Sequence, residues 1–271
     1  MDERRRLGYL DAIGIDVWVR RCPEERLVVA RRASSVAEPA SSVARLGEPR
    51  RPVSVPATDW PIARGGPDAQ PLEGWTSGDI AAMDWRALEM AVAGCRGCPL
   101  CETRTQTVFG VGNRAADLMI VGEAPGAEED RAGEPFVGRA GQLLNRMLSA
   151  IGLAREQAYI ANVLKCRPPG NRDPRREEAE RCEAYLMRQI SLTGPRLILC
   201  VGRVAAQHLL ETDAPVGTLR GRWFELGGEK VPLRVTYHPA YLLRSPEQKA
   251  KVWADLVAVA HRLNEAGRVS R

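Results

Sequence analysis

At 271 residues the chain can form one large domain, or one medium domain with an extension, and its 44% apolar content is ample for a packed core. It contains no uncharged apolar run of about 18 residues, and the charged start Met1-Asp2-Glu3-Arg4-Arg5-Arg6 lacks the apolar stretch of a signal peptide, so a cytoplasmic protein without membrane contact is expected. The net charge of +5, carried almost wholly by arginine, permits a polyanionic partner without demanding one.

In chain order, residues 1–30 form a short segment with helical spacing over 4–13 and an alternating stretch at Ile15–Val19. It is expected to dock back on the main domain or to bind a protein partner, and its apolar content favours docking. Residues 31–80 are rich in Ala, Ser, Pro and Arg, with seven prolines between Pro39 and Pro71 and no sustained period. Such a stretch buries too little to offset its ordering entropy, and a disordered linker is expected.

Residues 81–266 are regular. Trp85 to Val92 reads as a helix, and apolar strand-like runs follow at 117–121, 158–164, 196–201 and 231–237. Helical patterns at 139–151, 175–190, 203–210 and 247–264 alternate with them, and Gly221 to Gly228 looks like an added hairpin. Parallel strands need crossovers, so the expected fold is α/β: a three-layer α/β/α domain around a central four-stranded parallel sheet. In such sheets ligands bind beyond the carboxyl ends of the strands.

Those ends carry the unusual residues. The first strand runs into the glycine-rich loop Gly122-Glu123-Ala124-Pro125-Gly126, followed by Glu128, Glu129, Asp130 and Pro135-Phe136-Val137-Gly138. Its small residues let backbone approach a ligand closely, Gly122 and Ala124 first among them. The second strand closes on Asn162 and Lys165-Cys166-Arg167-Pro168-Pro169, the third on Gly202-Arg203, and the fourth on His238-Pro239-Ala240-Tyr241-Leu242-Leu243-Arg244. Singly, each residue has a plain structural explanation; together on one rim they point to a site.

Seven cysteines in a cytosolic chain argue for metal ligation or reactive thiols over disulfides. Cys95-x2-Cys98 and the wider pair Cys166 and Cys182 offer four soft ligands, which suit tetrahedral zinc or a 4Fe-4S cluster, and the long second spacing favours the cluster. Cys101 stands near the first pair, Cys200 lies in an apolar run that reads as core, and Cys22 lies outside the domain.

The Gly122 loop with Pro135–Gly138, Asn162 ahead of Lys165–Pro169, and His238–Arg244, in that order from about Cys95 to Leu263, resemble the family 4 uracil-DNA glycosylases, the iron-sulphur branch of their superfamily. The resemblance implies a 4Fe-4S cluster on Cys95, Cys98, Cys166 and Cys182, and a monomer acting on uracil-containing DNA in base excision repair, close to the nucleoid. It implies that Glu123, with Glu129 as second candidate, orients water and faces the sugar. His238 would stabilise the leaving uracil, Asn162 read its edge, and Phe136 stack on the extruded ring. Leu242 and Leu243 are expected to wedge into the duplex, with Arg244, Arg139 and Arg172 on phosphates. A branch that traps DNA covalently carries a histidine-bearing insertion, and no histidine occurs between Gly138 and Arg176. Simple base release is therefore expected over covalent trapping or a non-catalytic DNA-binding module, and without a lyase step, because Lys165 is the one lysine near the rim and is expected at phosphate or the cluster loop.

Overall fold

The computed structural model describes residues 75–228 and 230–268, with three isolated N-terminal positions, Gly8, Asp11 and Gly14. Apart from those positions, the expected docking segment and most of the expected linker lie outside the described residues. The helices are α1 (Ser77–Ala82), α2 (Trp85–Ala93), α3 (Ala127–Ala132), α4 (Arg139–Ala150), α5 (Arg176–Thr193), α6 (Arg203–Leu209), α7 (Val216–Leu219), α8 (Pro239–Arg244) and α9 (Lys249–Arg268). The strands are β1 (Val111–Gly112), β2 (Leu118–Gly122), β3 (Tyr159–Asn162), β4 (Leu197–Val201), β5 (Trp223–Leu226) and β6 (Val231–Thr236).

The described part of the domain includes residues before the expected boundary at 81. Thr76 and Asp79 form a capping box at the head of α1: the Asp79 amide donates to the Thr76 hydroxyl, and the Thr76 amide to the Asp79 carboxylate. Ile80, one turn on, is fully buried, which fixes this helix to the domain.

The sheet runs β1-β3-β2-β4-β6-β5. Its middle is the expected parallel four, but the sheet has six strands because β1 and β5 add antiparallel edges. The segment expected as a hairpin supplies β5. Side chains alternate across the sheet: Met119 and Val121 pack into one core with residues of α2, α5 and α6, while Leu118 and Ile120 pack into the other with α4 and α9. Two cores, one on each face, make the three layers.

One buried ionic cluster ties the last helix to the last strand. Asp255 of α9, at 0% exposure, accepts from Arg220 Nε at 3.1 Å, Arg234 Nη2 at 3.0 Å and Thr236 Oγ1 at 3.0 Å. Thr236 ends β6 two residues before His238, so this cluster fixes the strand from which the histidine projects.

Candidate active site at the carboxyl rim of the sheet

The register of β2 and β3 sets Gly122 opposite Asn162. Their pairing continues past the strands, with Val163 N donating to Gly122 O at 2.9 Å and Leu164 N to Glu123 O at 3.1 Å. A Cβ on Gly122 would stand 2.4 Å from Asn162 Oδ1 and 2.7 Å from Phe136 Cζ. Only glycine lets the carboxamide and the ring close over this point. Asn162 is 2% exposed, and its Oδ1 has no hydrogen-bond partner. Leaving such an acceptor bare costs about 1–3 kcal/mol, which a ligand N–H would recover.

Phe136 takes φ +55°, a left-handed conformation uncommon outside glycine. Two side chains hold it there. Arg155 donates to Phe136 O at 3.3 Å, to Asn145 Oδ1 at 3.2 Å and to Pro135 O. The Glu129 carboxylate accepts from Gly126 N at 3.1 Å, Val137 N at 3.0 Å and Gly138 N at 3.1 Å, bridging both ends of the loop. All three contacts are to backbone, so Glu129 organises the loop. Arg155 was not among the expected site residues: its partners lie 10 to 20 residues away, and nothing in its local sequence marks it.

His238 follows β6, and its ring is tilted 30° to that of Phe136, with centroids 5.5 Å apart. Nδ1 accepts from Ala240 N at 3.1 Å, which leaves the ring proton on Nε2. Burial, with the charge of Arg244 adding and Glu129 opposing, pulls the imidazole down to about 4. It is neutral at physiological pH. Gly202 stands behind it at φ +102°, where a Cβ would lie 3.1 Å from His238 Cβ.

Glu123 follows Gly122 directly. Burial, reinforced by Asp173 and opposed by Arg203, pushes its carboxyl up to about 7. Asp173 and Arg203 are themselves paired. The structure thus gathers Gly122, Phe136, Asn162 and His238, with Glu123 beside them in the field of the Asp173–Arg203 pair. Ala124 packs against the first core.

The expected wedge narrows to one residue. Leu243 is 39% exposed, whereas Leu242 is 1% exposed and lies in the second core, because successive residues of a helix are turned by about 100° and α8 buries only one face. Arg244 and Arg139 are exposed on the rim. Arg172 forms a two-pronged pair with Glu178, at 2.9 and 2.6 Å, and Arg220 is turned inward to Asp255.

Cys95, Cys98, Cys166 and Cys182 line one cavity between α2 and α5, with Lys165, Arg181 and Tyr185. The donors around them suit thiolate sulphurs. Arg104 Nη1 donates to Cys166 Sγ at 3.0 Å, Lys165 N to Cys182 Sγ at 3.3 Å and Gly97 N to Cys95 Sγ at 3.4 Å. Burial pushes the Cys166 thiol up to about 11 and that of Cys182 to about 12, so a positively charged metal group is what would hold them as thiolates. Among the described residues no three Cys, His, Asp or Glu side chains converge as they would on a single ion. Cys101 lies outside the cavity, and Cys200 is buried in β4.

The profile of the Uracil DNA glycosylase superfamily matches residues 109–257. The Type-4 uracil-DNA glycosylase of Archaeoglobus fulgidus is 47% identical over 170 residues, which are 60% of this chain and 85% of that protein. The Type-4 uracil-DNA glycosylase of Pyrobaculum aerophilum is 44% identical over 180 residues, 64% of this chain and 92% of that one. That of Thermotoga maritima is 44% identical over 153 residues, covering 56% and 79%.

Proposed function

Because the chain belongs to the uracil DNA glycosylase superfamily, we propose that it releases uracil from DNA by dividing the work among Glu123, Phe136, Asn162 and His238. Its reaction is uracil excision in DNA repair, as in the type-4 enzymes it resembles along most of their length. Water and deoxyuridine in DNA give free uracil and an abasic site. The N1–C1′ bond breaks with its electron pair leaving on uracil, C1′ becomes cationic, and water adds there with loss of a proton.

The observation that carries the assignment is the bare Asn162 Oδ1 over Gly122, beside an aromatic ring and a neutral imidazole. Uracil N3–H can donate to that oxygen, and uracil O4 can accept from the amide nitrogen. Cytosine presents acceptor and donor reversed, and a buried mismatch of that kind is an effective discriminator. The Nε2–H of His238 is free to donate to uracil O2 as negative charge develops there. Phe136 stacks on the extruded ring.

Glu123 takes the remaining role. As a carboxylate it stabilises the cationic sugar and orients the water, and its raised pKa suits it to accept the proton. Glu129, whose oxygens are engaged by three backbone amides, holds the loop for it. Leu243 and Arg244 meet the DNA where the base has left, with Arg139 on the same rim. Cys95, Cys98, Cys166 and Cys182 would hold a 4Fe-4S cluster, which supplies a rigid cross-link between the two segments.

Incubation with uracil-containing single- and double-stranded oligonucleotides, followed by alkali, tests the proposal. Strand scission is expected with the native protein. Removing one such electrostatic contributor typically costs about a hundredfold or more, and that loss is expected for Asn162→Ala, His238→Ala and Glu123→Gln. Variants as active as the native enzyme would overturn the assignment of roles.

A further inference from the structure

Lys165 is 1% exposed, and among the described residues no carboxylate pairs with it. Of the two places expected for it, phosphate or the cluster loop, the structure gives the second: the residue lines the cysteine cavity and its ammonium points into the protein. Nζ donates to the backbone oxygen of Asn162 at 2.7 Å and to Gln189 Oε1 at 2.6 Å. Gln189, equally buried, donates onward to Phe109 O at 2.9 Å and Tyr159 Oη at 3.0 Å. At its other end, Lys165 N donates to Cys182 Sγ at 3.3 Å, and Lys165 O accepts from Val108 N at 2.8 Å.

Both hydrogen bonds of the buried ammonium go to neutral acceptors, while the sulphurs of Cys166 and Cys182 favour its charge from nearby, and an apolar chain of the same length would fill the core at least as well. What the ammonium adds is a directed bond to one peptide group. That peptide belongs to the residue whose side chain carries the bare Oδ1, the last residue of β3. Beyond Asn162 the chain turns toward Cys166, so its carbonyl needs a partner from elsewhere.

We propose that Lys165 is a positioning residue for base recognition: it braces Asn162 against the wall of the cysteine cavity, so that the carboxamide meets the pyrimidine edge already ordered. This rests on Asn162 being the base-reading amide. Two sites in different parts of the chain are thereby joined through one side chain, and the order of the cysteine cavity bears directly on uracil affinity.

The test is binding of free uracil to the full chain with its metal content intact, followed by calorimetry or by NMR, with iron, sulphide and the thermal midpoint measured on every variant. Lys165→Met is expected to weaken uracil binding about tenfold, the scale of one buried hydrogen bond misplaced. Asn162→Ala is expected to weaken it at least as much, and the double variant no more than Asn162→Ala alone, since Lys165 acts through Asn162. Gln189→Glu provides a second approach should Lys165→Met not fold. It preserves size and offers the ammonium a carboxylate that competes with the Asn162 carbonyl, and weaker uracil binding at unchanged iron content is expected. Folded variants that bind uracil as the native protein does, or losses that add to that of Asn162→Ala, would overturn the inference. A native protein that neither binds nor releases uracil would instead overturn the role of Asn162, and this inference with it.

Discussion

At the scale of single residues, two ionisable groups on the rim are moved in opposite senses by the same burial. Glu123 is pushed up to about 7 and His238 is pulled down to about 4. The carboxylate of Glu123 therefore forms as pH rises through about 7, whereas the imidazole is neutral across the whole range above about 4. If the carboxylate is the reactive form, kcat/KM climbs through neutrality and levels off above it, and no limb near 6.5 belongs to His238. The climb should vanish in Glu123→Gln, leaving a flat and low profile. A profile for that variant that still rises through pH 7 would assign the ionisation to another group. Such shifts lie beyond sequence reasoning, because they depend on the depth at which a side chain ends and on charges such as Asp173 and Arg203 brought in from other segments.

At the scale of elements, the loop between β2 and α4 is a clamp held from both sides. Glu129 gathers three amides, and Arg155 gathers the carbonyls of Pro135 and Phe136. The left-handed Phe136 persists because these contacts outweigh its strain, which is on the order of 1–3 kcal/mol. Arg155→Ala should release it. An unfixed ring stacks less well, so kcat/KM for uracil oligonucleotides should fall about tenfold, mostly through KM, with a small change in melting temperature. An unchanged KM would show that Phe136 needs no such brace. The glycines, Asn162 and the histidine segment were legible because their local motifs are compact, but Arg155 and Gln189 were not, since their roles exist only once distant segments meet. The Leu242–Leu243 pair shows a related limit. In a helix of six residues too few apolar positions repeat to say which leucine faces inward.

At the scale of the molecule, the four central strands were readable because strands buried on both faces appear as unbroken apolar runs. β1 was not, since two residues carry no period. The head of α1 was written in the Thr76 and Asp79 pair, a capping signal that a proline-rich neighbourhood obscured. The cysteine cavity sits where α2 meets α5, with Arg181 Nη1 donating across it to Gly97 O at 2.7 Å. Segments 95–98 and 166–182 are far apart in the chain, and a group bound by both would fasten α1 and α2 to the sheet. Removal of the proposed iron-sulphur cluster by chelation after oxidation should thus loosen that corner first. Limited trypsin digestion read by mass spectrometry should then show early cuts at Arg96 and Arg104, ahead of any in the sheet. Cuts distributed evenly over the chain, or none gained, would mean that the corner does not depend on the group.

The sheet's outer strands have a consequence for the protein in a crowd. β1 has two residues and β5 four, both run against the central four, and the indole of Trp223 is covered by the guanidinium groups of Arg234 and Arg262. A sheet so bordered gives a neighbouring molecule little template on which to zip. Concentrated solutions should accordingly scatter light as particles of one size, and copies scanning the same stretch of DNA should pass without sticking to one another.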